Sequence, residues 1–501
     1  MKSKLLKIIG TVAVINILAR LIGFAREVII GYQYGTSHLA DSIITAYTIP
    51  NFLYIVVGGA ITTAFISVYS KTLDGKEKDL FISSVFSYII MIIGVITVLM
   101  IVFAEPLLKA LFGGMEREQF ETTLRLFYWM APSTFFLVVS MWLSGILNVH
   151  DRFQLSTMST FIYNLGFVVL AVLLTPLMYV DSYGLGAMLS SIIMVAILLF
   201  GLRKTHLKFL KPNFAYSGEM KRLFLIAMPI MLGGATLQFY FLIQRMFASD
   251  LSEGYIAALN YASKLTQFPQ AVLMTAVTTV IYPMLAKKVA ANEEESVTSL
   301  YQRGLGALGL LLIPVTIFVF FYSKEIVQII FEYGSFTEES SKMTIPLLQI
   351  FSLSMFALAG NVYISRFFYA KENSYMPVII SILCVFGINI IVTLALLDRL
   401  GAEAIAWGTS ISSIVNFILL TILAKFMLKL RITENFGSAG KSLFLYAAII
   451  IVMFLSSRFL AFGNPWIDLI SGGVLFLAVF LVLLKIVRLP ELQLILGRGK
   501  A

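Results

Sequence analysis

Long apolar stretches alternate with short polar breaks along the whole chain, and the spacing of the breaks predicts its elements. At ~1.5 Å of rise per residue, a ~30 Å hydrocarbon core needs about 20 residues. Fourteen segments of that length occur, near 6–32, 39–70, 80–108, 122–148, 154–179, 182–202, 222–248, 254–286, 303–322, 344–370, 375–397, 402–424, 442–462 and 466–487. Stretches such as Leu80–Ala104, Leu185–Leu202 and Leu469–Leu484 carry no charge at all. The first, second, seventh, eighth and tenth segments contain or begin with charged groups, so they cannot face lipid all round. The start, Met-Lys-Ser-Lys-Leu-Leu-Lys before an apolar run, resembles a signal peptide but lacks a small-x-small cleavage site. It reads as a retained first membrane helix. No loop exceeds about twenty residues, which places the chemistry within the membrane.

Composition strengthens this picture. Apolar residues make up 59% of the 501, charged residues 13%, and mean hydropathy is +0.92. A soluble domain runs near 45–50% apolar and about 25% charged. The net charge of +10 does not point to nucleic acid, because no basic patch with interleaved aromatics accompanies it. Lys and Arg gather instead on alternate loops. With the N-terminus inside, 25 cations fall on inner loops and tails and 7 on outer ones, which sets both termini in the cytoplasm. A single cysteine, Cys384, excludes a disulfide framework or cysteine metal cluster. Three histidines, all outside the apolar segments, argue against a histidine metal site.

The chain also repeats itself at an offset of 219 residues. Arg26 falls on Arg245, Gly35 on Gly254, Asp41 on Asn260 and Pro50 on Pro269. In both copies an arginine ends one helix, a glycine-bearing turn follows, and a second helix bends at proline. The expected fold is an all-α membrane protein with about fourteen transmembrane helices. It comprises an N-lobe over 1–206, a basic linker over 207–221, a C-lobe over 222–430, and two further helices with a tail over 431–501. Two six-helix lobes in parallel repeat, with substrate between them, are a transporter architecture. The last two helices read as oligomer contact or packing, with a groove for a lipid tail as the sharper alternative.

Five cations lie inside apolar segments: Arg20, Arg26, Arg245, Lys264 and Arg366. At about 2.5–3.5 kcal/mol each, leaving them in lipid would cost on the order of 12–18 kcal/mol, so they face protein or water. Arg366 sits near an inner helix end, where snorkelling or pairing suffices. Glu27 and Asp41 are the anions near the others, so cations outnumber buried anions. Arg20, Arg26, Arg245 and Lys264 thus form a candidate anion site, with Glu27, Asp41, Asn260 and Arg366 in support. Gly23 would let the first helix kink so that Arg20 and Arg26, six residues apart, share one cavity. Arginine's planar fork suits phosphate oxygens and Lys264 adds a point charge, so the expected substrate is a phosphate or diphosphate.

These features resemble a known family, the MurJ/MviN lipid II flippases, within the superfamily that also holds multidrug (MATE) exporters and polysaccharide flippases. The resemblance rests on Ala19-Arg-Leu-Ile-Gly-Phe-Ala-Arg-Glu27, Gly35, Asp41, Ile49-Pro-Asn-Phe-Leu53 and Ala64-Phe65. It continues in Phe247-Ala-Ser-Asp-Leu-x-x-Gly254, Ala258-Leu-Asn-Tyr-Ala-Ser-Lys-Leu265, Pro269, Thr279-Val-x-x-Pro283, Phe331-Glu-Tyr-Gly-Ser-Phe336 and Arg366-Phe-Phe-Tyr-Ala370. It covers essentially the whole chain. It implies a flippase that moves an undecaprenyl-diphosphate-linked peptidoglycan precursor from the inner to the outer leaflet of a bacterial cytoplasmic membrane by alternating access. Arg20, Arg26, Lys264 and Asp41 match the family's functional positions. The resemblance also implies coupling to membrane potential, Na+ or H+, no cofactor, and membrane lipids and other cell-wall synthesis proteins as partners.

The sequence departs from the family in one place. Many members carry Arg-Arg and then Glu after the Pro-Asn-x-Leu; here Tyr54-Ile-Val-Val-Gly-Gly59 is one residue shorter and uncharged. Another lipid-linked glycan therefore stays open as cargo. Some members bind sodium between helices 7, 11 and 12, and the matching positions look like Asn389, Thr393 and Thr409, with no carboxylate among them. A MATE-like cation or drug antiporter is a further alternative, but it would want carboxylates lining its cavity. A membrane-embedded transferase would need a carboxylate or histidine cluster, for which His150-Asp151-Arg152 is the one candidate and reads as a turn. A structural or regulatory partner without transport completes the alternatives.

Overall fold

The computed structural model describes residues 2–72, 76–203, 211–373, 375–431 and 436–487. The linker's residues 207–210 and the tail beyond 487 lie outside the described residues. Every described element is helical, and no strand occurs among them. The helices are α1 (Lys2–Tyr34), α2 (His38–Leu53), α3 (Gly59–Thr72), α4 (Lys76–Val102), α5 (Ala104–Phe112), α6 (Arg117–Met130), α7 (Ser133–Val149), α8 (Phe153–Met178), α9 (Asp181–Leu202) and α10 (Gly218–Ala248). There follow α11 (Tyr255–Ala290), α12 (Glu294–Phe321), α13 (Ser323–Phe331), α14 (Glu338–Ser352), α15 (Met355–Ala370), α16 (Tyr375–Ile382), α17 (Ile390–Leu400), α18 (Ala402–Met427), α19 (Phe436–Phe459) and α20 (Pro465–Val487).

Among the described residues, ten helices are long and apolar enough to cross a membrane, and up to thirteen if each bent pair is one span. The protein is therefore a multi-pass membrane protein. Each of the fourteen expected segments has its helix. The one outside the thirteen is α1, whose 33 residues include Lys2, Lys4, Lys7, Arg20, Arg26 and Glu27.

The 219-residue repeat reappears in the element bounds. Shifting Ala104–Phe112 by 219 gives Ser323–Phe331, and Val102, the end of α4, falls on Phe321, the end of α12. The pair α6 and α7 bends by 42°, its counterpart α14 and α15 by 43°. Gly35 and Gly254 both have positive φ, +58° and +89°. A Cβ on Gly35 would overlap the Ser335 carbonyl oxygen, and one on Gly254 that of Thr36. Both turns thus require glycine.

By packing, the chain forms two compact units, Met1–Ile30 with Thr36–Ala257, and Gly31–Gly35 with Ala258–Ala501. The first therefore includes α10, which packs on α3 and α2, so contact and repeat divide the chain at different places. In this unit Phe65 of α3 stacks on Phe81 at 5.8 Å and meets Trp142 edge-on at 5.9 Å. Pro50 sits in the last turn of α2, and a π-helical turn, Tyr54–Gly58, follows it. Proline removes one backbone donor, and the wider turn is a common way to absorb that break within a span.

The second unit is built around Tyr301, Tyr363, Phe367 and Ile281, all fully buried. Its helix α11 bends by 42° between Thr278 and Ile281, beyond the expected hinge Pro269. Pro283 explains the place, because its ring meets the carbonyl four residues back. The last two helices seat on α12 through Leu310, Ile317, Leu445, Ile449 and Phe476. There the Tyr322 and Ser456 hydroxyls share a 2.8 Å hydrogen bond, and Gly472 leaves room for the Tyr322 ring.

Candidate functional site

Five of the charged positions singled out in the sequence, Arg20, Arg26, Glu27, Asp41 and Arg245, lie in the first unit. Arg26 of α1 is the best-defined. Its Nη2 lies 2.9 Å from Glu27 Oε1, with the two side chains 13% and 5% exposed. The guanidinium also lies over two rings, 5.0 Å from the centroid of Tyr47 (α2) and 4.9 Å from that of Phe167 (α8). The Tyr47 hydroxyl in turn shares a 2.8 Å hydrogen bond with the Tyr163 hydroxyl. A cation lying over aromatic rings is worth about 2 kcal/mol or more when desolvated. Arg26 is thus a largely buried cation packed on two rings that meet edge-on.

Arg245 of α10 stands in the same unit as Arg26 and within electrostatic reach of both Arg26 and Glu27. Its Nη1 donates to Thr48 Oγ1 at 2.8 Å, one residue along from Tyr47. Two guanidinium groups therefore share one carboxylate, Glu27, as their close anion. Arg20 is exposed on α1. Helix α1 runs unbroken past Gly23, near Asn164, whose Nδ2 donates to the Ala19 and Thr160 carbonyls.

Asp41 has a different task from its expected support of the cations. Only 1% exposed, it accepts the Gly254 and Ala257 backbone N–H groups at 2.7 Å each and Gln119 Nε2 at 3.2 Å. These are the N-cap and third-residue donors of α11, which no residue within that helix can satisfy. Gly254 has no side chain to cap the helix, and Thr36 leaves no room for one. Asp41 supplies the missing cap from across the unit. Three residues before it, His38 lies 3.3 Å from Glu253 and 3.9 Å from Glu118.

The second unit holds the remaining candidates. Lys264 is half-buried on α11, between buried Ser263 and Leu265, and Asn260 one turn earlier is buried and accepts the Ser263 hydroxyl on its carbonyl at 2.9 Å. Arg366 is exposed and lies 5.3 Å from the centroid of Tyr282. Asn389 and Thr393 are brought together, Thr393 Oγ1 donating to Asn389 Oδ1 at 3.4 Å, and both crowd against Gly408. Thr409 turns its hydroxyl to the Ile405 carbonyl at 3.1 Å. Among the described residues no cluster of three or more His, Cys, Asp or Glu could hold a metal ion.

Sequence reading alone missed Tyr47, Tyr163 and Phe167, which fix Arg26, and Gln119, which steadies Asp41. An aromatic residue inside an apolar span carries no signal of its own there. Gln119 sits 78 positions from its partner, and no local pattern joins them.

Comparison with known proteins supplies the family. The family model for the lipid II flippase MurJ matches residues 30–479. A probable lipid II flippase MurJ of Rickettsia prowazekii (strain Madrid E) is 27% identical over 417 residues, covering 81% of each chain. The lipid II flippase MurJ of Burkholderia cenocepacia is 25% identical over 423 residues, covering 81% of this chain and 82% of its own. A solved lipid II flippase MurJ in an inward closed conformation superposes with a TM-score of 0.80 at 23% identity, over 95% of this chain and 98% of that one. An inward-facing MATE-family multidrug resistance transporter shares the fold more distantly, with a TM-score of 0.68 at 14% identity over 83% and 94%. With its family model matched over nine-tenths of the chain, this protein belongs to the MurJ family of lipid II flippases.

Proposed function

We propose that this chain carries lipid II, a lipid-diphosphate-linked saccharide, from the inner to the outer leaflet of a bacterial cytoplasmic membrane by alternating access, with both termini in the cytoplasm. It acts as a transporter and makes or breaks no covalent bond in its cargo. The observation that carries the reading is Arg26, packed on Tyr47 and Phe167 and paired with Glu27, with Arg245 in electrostatic reach of both. An incoming diphosphate would complete the charge balance that Glu27 alone leaves short. Arg20 offers an exposed cation on the same helix, and Lys264 a point charge on α11. The uncharged Tyr54–Gly59 stretch favours a second reading, another lipid-linked glycan as cargo.

Coupling follows from the same charges. Membrane potential acts on any cation that moves with the cargo, at about 2.3 kcal/mol per charge per 100 mV. Na+ is the ion that Asn389, Thr393 and Thr409 would take, although a hard cation prefers charged oxygen over this neutral set; H+ is the third option. Other cell-wall synthesis proteins are the partners such a transporter would hand its cargo to.

Complementation tests the proposal. Cells depleted of their own lipid II flippase receive this protein or its Arg26→Ala or Lys264→Ala variant, and surface-exposed lipid II is measured. Wild type should restore exposure and each variant should lose most of it. No rescue by wild type points to another glycan; full rescue by both variants removes these cations from transport.

A further inference from the structure

A groove lies in the first unit, away from the buried cations. It is a shallow groove between α3, α4 and α10, open on one side. Its wall is wholly aliphatic and aromatic, with Ile61, Val85, Ile89, Ile92, Leu223 and Phe224 as its main residues. At one end the chain entering α10 closes it. Asn213 donates its backbone N–H to Ser87 Oγ at 2.9 Å and its Nδ2 to the Leu80 carbonyl at 3.3 Å, and the Tyr88 hydroxyl donates to the Phe214 carbonyl at 3.1 Å. Phe214, Tyr216 and Phe224 all meet the Tyr88 ring edge-on, between 5.9 and 6.5 Å.

Aliphatic, aromatic and basic residues meet on this face, and Tyr88 itself lines the groove. Aromatic rings with polar tips collect at the membrane–water interface, so the Tyr88 cluster marks where hydrocarbon ends. Beside these residues in sequence, Lys211, two before Asn213, and Lys221, one after groove-lining Met220, are both exposed. The segment 203–222 holds six Lys or Arg and a single acid, Glu219. In lipid no open apolar groove stays empty. A wall this apolar suits part of one acyl chain.

We propose that this groove holds one chain of an anionic glycerophospholipid, whose headgroup phosphate rests on Lys211 and Lys221. The bound lipid is distinct from the cargo, and the proposal stands whether the cargo is lipid II or another glycan. It gives the linker a reason for its charge beyond orientation, since the lipid ties the start of α10 to α4.

The full chain is reconstituted in vesicles of equal phosphatidylglycerol and phosphatidylcholine, extracted, and weighed intact with its retained lipids by native mass spectrometry. A basic residue at an anionic surface favours an anionic lipid by roughly fivefold. Wild type should therefore retain phosphatidylglycerol over phosphatidylcholine by at least tenfold. The Lys211→Gln/Lys221→Gln double variant, altered only at exposed positions, should fall to near parity while still holding a lipid. Ile89→Trp, which fills the groove, should hold neither. Equal retention of both lipids by wild type, or an unchanged preference in the double variant, overturns the proposal. Displacement of the phospholipid by added undecaprenyl phosphate would assign the groove to a cargo tail and equally overturn it.

Discussion

Replacing Asp41 with alanine tests the cap of α11. The carboxylate accepts two backbone N–H groups at 2.7 Å and an amide at 3.2 Å, at a site 1% exposed. Hydrogen bonds to a charged group contribute about 1.5–3 kcal/mol each, and a buried donor left without a partner costs about 1–3 kcal/mol. Loss of an ordinary N-cap costs about 0.5–2 kcal/mol. Asp41 lies above that range because no side chain at Gly254 can take over and water has no access. Asp41→Ala should therefore destabilise the protein by roughly 3–6 kcal/mol. Asp41→Asn keeps one acceptor oxygen but turns an NH2 toward the second N–H, and should cost about half as much. Gln119→Ala removes only the longest bond and should cost about 1 kcal/mol. The three purified variants and wild type are melted side by side in one detergent, with tryptophan fluorescence as the readout. The expected order of melting temperature is wild type, Gln119→Ala, Asp41→Asn, Asp41→Ala. An Asp41→Ala protein that melts with wild type would refute the cap.

Arg26→Ala leaves Glu27 buried and short of its partner, which should destabilise by about 3–5 kcal/mol; Arg26→Ala/Glu27→Ala should regain most of that in the same melting assay yet stay inactive in complementation. Gly254→Ala forces a side chain into positive φ against the Thr36 carbonyl and should melt well below wild type, more so than Gly35→Ala, whose φ of +58° is easier for alanine than +89°. Gly408→Ala would overlap Thr393 Oγ1 and Asn389 Oδ1, an overpacking worth about 1–3 kcal/mol, and should abolish any sodium-dependent rise in melting temperature. Glu325, at the start of α13, has one carboxylate oxygen buried without a partner, and burial first, then nearby Asp468, raises its pKa. A carboxyl whose folded pKa is raised binds its proton more tightly in the folded state, so its contribution is complete below the unfolded pKa and is lost as pH rises through the folded one. Glu325→Gln should accordingly match wild type in acid and melt above it at neutral pH; equal melting at both would remove Glu325 as the cause.

What the sequence made legible is what local pattern dictates. Apolar runs of membrane length gave every span, and the 219-residue offset found in Gly35 and Gly254 returns as two positive-φ turns that admit no side chain. The buried cations were legible too, because charge inside an apolar run is costly wherever the fold puts it. Their partners were not. Nothing near Arg26 in sequence announces Tyr47 or Phe167, and Asp41 looked like a counter-ion until Gly254 and Ala257 came within 2.7 Å of it. The repeat itself shows why these differ in kind. Backbone punctuation is duplicated, but most charge is not: at the same offset Arg20 meets Phe239, Asp41 meets Asn260 and Lys264 meets Thr45. A turn that needs glycine needs it in both copies, because each copy must fold. A cation that meets a ligand needs to exist once, because a single unsymmetrical cargo passes both halves. Arg26 and Arg245 are the one pair of membrane cations kept in register, and both lie within electrostatic reach of the same carboxylate, Glu27. The repeat thus keeps the Arg26 and Arg245 charge in both copies, whereas Arg20 and Lys264 have no cation at the matching position of the other copy.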